Sequence, residues 1–307
     1  LIPEMRKLRD WVLEAECRYV AMESTGIYWQ PIYEMLEPCF DGQINILVVN
    51  ARHMKNVPGR KTDMRDAQWI ATLLRAGLLK GSFIPDKTFR ELRHLTRYRK
   101  SIVRDITAQK NRIDKFLQSS GFRFTAFLSD AFGASGRNII RHLMEYGNIS
   151  REALDRCLKT QTRKRIDEIL IALNGSLSEH QRGFLRMIFG HLEALEQHRH
   201  TVEDAITKEI TKHEEALSLL CSIPGIDVTA AAAIIAEIGT DMSAFPDSQH
   251  ICSWAGLSPG NNESAGKRKS AHINKGNPYL KSMLCEVGWV ISGKRSLYLS
   301  GWYWSKI

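Results

Sequence analysis

Apolar residues at Leu92, Leu95, Ile102, Ile106, Ile113 and Phe116 recur at alternating spacings of three and four once Arg99 and Gln109 are counted into the same seam. Such a seam runs along one side of a long α-helix and needs a partner over its whole length. A second run supplies one: Ile188, Leu192, Leu195, Val202, Ile206, Ile210 and Leu217. Two long helices separated by an insertion predict an antiparallel coiled-coil arm over residues 86–218, either folded on itself or pairing protomers. Within the insertion, 119–150 is punctuated by Gly and Ser, and ISREALDRCL and RKRIDEILIAL read as short helices.

Ahead of the arm, CRYVAME (17–23) reads as a strand and GIYWQPIYEML (26–36) as a helix, with Pro31 near the first turn, where proline is tolerated. INILVVN (44–50) is a near-continuous apolar run rich in β-branched residues, as buried parallel strands are. The basic loop ARHMKNVPGRK then leads into a helix from about Thr62 to Leu78. This β-α-β-α order predicts, for residues 1–85, a parallel sheet covered by helices and joined by right-handed crossovers.

After the arm, residues 219–307 open with LLCSIPGIDVTAAAAIIAEIG. A Pro-Gly turn before an Ala-rich helix fits a helix-hairpin-helix, in which Gly225 lets backbone N–H groups approach a DNA phosphate. An αα-hairpin packed for its own sake fits the same residues. FPDSQHICSWAGLSPGNNESAGKRKSAHINKGNPYLKSML follows as a polar, glycine-rich and basic loop region.

Lys and Arg number 43 against 34 acids, a net charge of +9 that favours a polyanionic partner. From Lys87 to Lys115 ten cations face three acids, a net of +7 that is either a solvated face or a nucleic-acid-facing surface. No run of about 18 apolar residues exists to cross a membrane. The start, LIPEMRKLRDW, has no signal-peptide core and no initiator Met, so we expect a cytoplasmic protein whose sequence begins inside a longer reading frame. The six cysteines are scattered without a C-x-x-C pair, which argues against a zinc site or disulfide framework and predicts reduced, mostly buried thiols. Tyr28 and Trp29 are expected in the core, with stacking on a base as the alternative.

The acidic residues are the most informative. At about 100° per residue, Asp63 and Asp66 of KTDMRDA fall on the stripe of Ile70, Leu73, Leu74 and Gly77, so their carboxylates are expected to continue a buried helix face. Two like charges on a buried face call for a cation or strong donors, whereas an acidic first turn that merely suits the helix dipole is the simpler alternative. Glu23 ends an apolar strand, and the C-terminal ends of parallel strands are where open α/β sheets gather ligands. Three carboxylates suit Mg²⁺, and paired ions of that kind stabilise entering and leaving oxygens in phosphodiester chemistry.

Taken together, AMESTGIYW (21–29), KTDMRDAQWIA (61–71), SIPGIDVTAAAAIIAEIG (222–239) and WAGLSPGNNESAGKRKSAHINKGNPYLK (254–281) resemble, in order, the DEDD transposases of bacterial insertion sequences. The resemblance implies a RuvC-like (RNase H-like) N-terminal domain, a C-terminal domain carrying a nucleophilic serine, and activity as a DNA transposase or recombinase. It makes Glu23 the family's Glu, Asp63 and Asp66 its last two Asp, and Ser264 the nucleophile. It further implies Mg²⁺ as cofactor, DNA and a noncoding guide RNA as partners, a homo-oligomer on DNA, and a place in the bacterial cytoplasm at the nucleoid.

Beside Ser264, Lys267, Arg268 and Lys269 offer cations for phosphate oxygens, and Lys275 offers another contact. Without the resemblance Ser264 would be an ordinary loop serine. The family's first Asp, in a Gly-[IV]-Asp context, has no counterpart in the 22 residues before Glu23, and Asp10 sits in a predicted helix. The family's basic Gly-Lys-Lys-containing C-terminal helix is likewise missing from this sequence, which ends in LSGWYWSKI. Two alternatives therefore stand beside the transposase: a RuvC-like, metal-dependent, structure-specific nuclease in which Ser264 is idle, and a truncated, inactive protein that still binds DNA.

Overall fold

The computed structural model describes residues 2–39, 44–50, 63–259, 262–264, 267–270, 272–273 and 275–306, with the backbone alone at 63–65, 262–264 and 267–270. The chain divides into two compact units, Leu1–Ile84 and Pro85–Ile307.

In the first unit the order is α1 (Ile2–Glu14), β1 (Tyr19–Glu23), α2 (Trp29–Leu36), β2 (Asn45–Val49) and α3 (Asp63–Arg75). The β-branched strands pair in parallel, in a register running from Tyr19 opposite Asn45 to Glu23 opposite Val49. Gly81 adds a single antiparallel bridge to Val49, and Ser82 N–H donates to Val48 O at 2.7 Å. Val12, Leu36, Ile44, Val48, Val49 and Leu73 form the buried interior. α2 starts at Trp29, three residues later than its apolar pattern suggests, because Gly26 holds φ at +59°, outside helical space. α3 ends at Arg75, where Gly77 turns left-handed at φ +69° and Leu78 N–H closes onto Leu73 O at 3.0 Å.

Among its described residues the second unit is helical apart from one hairpin and an isolated bridge between Pro259 and Ile273. The long helices are α4 (Lys87–Ser119) and, after α5 (Ala134–Tyr146), α6 (Arg151–Cys157), α7 (Thr160–Arg163) and α8 (Ile166–Ala172), α9 (Glu179–Ile210). α4 and α9 run antiparallel: Arg99 bonds Glu203 at 2.8 Å, while ten residues further along α4, Gln109 Nε2 donates to Ile188 O at 2.6 Å. The two polar positions of the first seam are therefore each answered across the helix pair. Ser178 opens α9 with a reciprocal capping box to Gln181. The second seam stops at Ile210, since Thr211–His213 tightens to a 3₁₀ turn and Leu217 belongs to the next helix, α10 (Glu214–Cys221).

The Gly- and Ser-punctuated stretch holds the full helix α5. Its Gly136 is required by contact, because a β-carbon there would overlap the Ala131 carbonyl. Phe122, Phe124, Ile139, Ile140 and Leu154 continue the α4–α9 core beneath the insertion. After α10 come α11 (Val228–Ile238), α12 (Ser248–Ala255), β3 (Asn262–Ser264), β4 (Lys267–Ser270), α13 (Pro278–Gly293) and α14 (Tyr298–Trp304). Ala232, Ile235 and Ala236 of α11 join the same core as α4 and α9.

Two further expectations change. Of the cysteines, Cys252 and Cys285 are exposed and the other four are half-buried, so none is the buried thiol that Cys composition suggested. The region read as one long loop contains α12, capped by the Asp247 carboxylate at His250 N–H (2.9 Å) and closed by the left-handed Gly256. Among the described residues no helix is long and apolar enough to cross a membrane.

Candidate functional site

Glu23 sits at the C-terminal end of β1, fixed there by pairing with Val49; the next residue, Ser24, donates its N–H to Val49 O at 2.9 Å. The Glu23 side chain is half-buried and accepts a hydrogen bond from the Thr25 hydroxyl. Its carboxylate thus stands at the lip of the sheet, where the chain turns away through Gly26.

α3 packs against β1. The stripe that sequence spacing assigns to its buried face is buried at Leu73 and half-buried at Ile70 and Leu74, but Asp66 is exposed. Burial of like charge therefore supplies no argument for a cation at Asp66: the covered face of α3 ends at Ile70. Asp63 is the first residue of α3, and its side chain lies outside the described residues. Among the described residues no three His, Cys, Asp or Glu side chains gather into a metal-binding group. The fold places Glu23 at the end of a strand that α3 packs against, and α3 is the helix whose first turn carries Asp63 and Asp66. Tyr28, expected in the core, is 81% exposed just beyond the Glu23 turn, while Trp29 meets Tyr33 edge-on at 5.8 Å.

In the second unit Ser264 is the last residue of β3 and pairs with Lys267, the first of β4, in an antiparallel hairpin. Arg268 stands opposite Glu263. Strand pairing, not a free loop, therefore places Ser264 beside a run of cations. Lys269 lies on the same strand β4, and Lys275 is exposed.

Gly225 lies between α10 and α11 in a turn closed by Ile226 N–H to Ile223 O at 3.1 Å. Pro224 at its second position and φ +91° at Gly225 are the features of a type II turn. The open side of Gly225 faces α13: a β-carbon would lie 3.1 Å from Ile291 Cγ1 and 3.4 Å from Val287 O. Intramolecular packing thus gives this glycine a role of its own.

Part of the basic stripe of α4 is turned inward, while Lys87, Arg104, Arg112 and Lys115 are exposed. Arg97 grips Glu237 of α11 with two parallel bonds, Nε to Oε1 and Nη2 to Oε2, both 2.8 Å, and its guanidinium lies 4.2 Å over the Tyr279 ring. Arg93 reaches the same carboxylate at 3.2 Å and also donates to the Ala236 (2.9 Å) and Glu237 carbonyls at the end of α11. Lys100 bonds Ser282 of α13 at 2.6 Å. Burial pushes the Arg93 guanidinium down to about 10; Glu237 opposes that shift, and Arg97 and Arg90 add to it.

Glu237 is 2% exposed, and Asn277 completes its coordination, donating Nδ2–H to Oε2 at 2.6 Å. Glu237 and Asn277 lie inside two of the stretches that carry the family resemblance, but neither is singled out there, and Arg93 and Arg97 stand in no motif. The signal that could have found them is one acid in the otherwise apolar VTAAAAIIAEI.

These elements match known proteins in two blocks. A DEDD transposase family model matches residues 3–121, and the transposase model of the IS116/IS110/IS902 family matches residues 217–302. The chain is 23% identical over 247 residues to y4qE of Sinorhizobium fredii, a protein assigned by name to the transposases; the match covers 78% of this chain and 51% of that protein. It is 28% identical over 239 residues to a 43.6 kDa protein of insertion element IS110 of Streptomyces coelicolor, covering 71% of this chain and 58% of the other. The chain thus spans between half and three-fifths of the length of these relatives. With both family blocks present in order on either side of the helical insertion, the chain belongs to the DEDD transposases of the IS110 type.

Proposed function

We propose that this chain acts as a DNA transposase or recombinase whose first unit is an RNase H-like metal domain and whose second unit supplies Ser264 as nucleophile. The observation that carries the reading is the two-block family match, with Glu23 at a strand end in one block and Ser264 paired beside Lys267 in the other.

Glu23, Asp63 and Asp66 would hold Mg²⁺. Their oxygen donors are of the hard type that this ion takes, and Glu23 ends a strand against which the helix carrying Asp63 and Asp66 packs. When bound, the ion neutralises charge developing on phosphate oxygens. The Ser264 oxygen attacks a DNA phosphorus, a Ser–O–P bond forms, and the bond from phosphorus to a deoxyribose oxygen breaks. The serine proton leaves with that oxygen as a hydroxyl, and attack by a second DNA hydroxyl reverses the sequence to rejoin strands. Lys267, Arg268, Lys269 and Lys275 would neutralise the phosphates, and the Gly225 turn would offer backbone N–H groups to the duplex. The family resemblance extends the proposal to a noncoding guide RNA and to an oligomer assembled on DNA.

Ser264→Ala tests the chemistry. With Mg²⁺ and duplexes drawn from the DNA flanking the reading frame, the wild type is expected to form a covalent protein–DNA adduct. The variant should lose it at least a thousandfold while retaining DNA binding. Undiminished cutting by the variant would favour the idle-serine nuclease. Binding with steep salt dependence and neither cutting nor joining by the wild type would favour the DNA-binding remnant.

A further inference from the structure

The segment carrying Ser264 leaves the scaffold at Gly256 and returns at Gly276, and both ends meet at one point. Asn277 N–H donates to Trp254 O at 3.0 Å, and Gly276 lies so close to the end of α12 that a β-carbon there would overlap the Ala255 and Gly256 backbone. One step further out, Pro259 and Ile273 form an antiparallel bridge. The Asn277 side chain works in two directions. Its Oδ1 caps α13 by accepting from Tyr279 N–H (2.9 Å) and Leu280 N–H (3.1 Å), while its Nδ2 donates to the buried carboxylate of Glu237. Glu237 in turn is held by Arg97 and Arg93 from α4.

We propose that Glu237, acting through Asn277, is a positioning residue that locks the base of the Ser264 hairpin to the long helix α4. A carboxylate with all its partners in fixed directions is a rigid anchor in a water-poor site. An error of about 1 Å at a reacting group is enough to cost on the order of a hundredfold in rate. The inference rests on the serine reading given above, but the anchoring itself can be measured apart from any chemistry.

Glu237→Ala would take from Arg93 and Arg97 the carboxylate they share and so disturb α4 together with the hairpin. Asn277→Ser is the sharper variant, because serine keeps a cap on α13 yet is too short to reach Glu237. In the full chain, amide hydrogen exchange at β3 and β4 is expected to quicken at least tenfold in Asn277→Ser and at least threefold in Glu237→Gln. Exchange in α4 and α9 should stay within twofold of wild type. With the flanking-DNA duplexes and Mg²⁺, the rate of adduct formation should fall at least tenfold in Asn277→Ser, with the DNA dissociation constant within twofold.

Exchange at β3 and β4 within twofold of wild type in Asn277→Ser would overturn the proposal. So would equal acceleration throughout the second unit, which marks a general loss of stability. An adduct that survives Ser264→Ala would sink the serine reading alone, and the exchange measurement would still decide the anchor.

Discussion

At the scale of single residues, Glu237 is a buried carboxylate whose removal takes from two guanidiniums the one anion they share. Breaking such a group from one side costs about 3 kcal/mol, the low end of the range for buried pairs because the Arg97 side chain is 37% exposed. Urea denaturation of Glu237→Ala should show that loss; a change below about 1 kcal/mol would mean that solvent already satisfies the arginines. Asp247 gives a pH-dependent counterpart. Its carboxyl is held below the usual carboxylate range, first by the His250 side chain at 2.7 Å and then by the His250 backbone N–H. A depressed carboxyl contributes stability that is present above the unfolded pKa and lost as pH falls through the folded one, so the N-terminal cap of α12 should weaken on acidification below the ordinary Asp range. Carboxyl chemical shifts of Asp247 followed by NMR would give its midpoint, and a midpoint at or above the free value would contradict the geometry. Sequence made the motif acids visible and missed Glu237. Its meaning lies in partners 140 residues back at Arg97 and 40 residues on at Asn277, a pairing that local spacing does not encode.

Among elements, the long helices were the most legible, since burial of Leu92, Ile102, Ile106 and Ile113 on one and Ile188, Leu192, Val202 and Ile206 on the other follows directly from period. Their interruptions were less so. The second seam breaks at Thr211–His213 although apolar spacing continues to Leu217, because a periodic pattern cannot distinguish one helix from two that share a face. The hairpin of β3 and β4 was hidden for the opposite reason: polar, basic strands lack the alternation that marks a strand. The turn between α10 and α11 carries a prediction of its own. Gly225→Ala forces a β-carbon into left-handed space at φ +91° beside Ile291, a cost of about 1–2 kcal/mol. The denaturation midpoint would register it, and an unchanged midpoint would show that the turn relaxes freely.

For the whole molecule, net charge pointed to nucleic acid, but four of the ten cations of the strongest basic run are committed to internal bonds: Arg93, Arg97, Arg99 and Lys100 of α4 each hold a partner within the second unit. Composition counts charges without regard to where they point, so that stripe was legible as basic and not as a clamp. The hairpin cations are therefore the sharper test of DNA binding. Replacing Lys267 and Arg268 together with Ala should weaken duplex binding uniformly across sequences and flatten the slope of log K against log salt by about 2, one for each phosphate that is no longer neutralised. An unchanged slope would place the DNA elsewhere.

The close approach of Gly276 to the Ala255–Gly256 backbone has one more consequence. A strap whose two ends are fastened at one buckle can be lengthened, shortened or rewritten between them while the buckle stays shut. Homologous hairpins grafted between Gly256 and Gly276 should therefore be accepted as interchangeable cartridges, whereas a single methyl group added at Gly276 would spring the buckle itself.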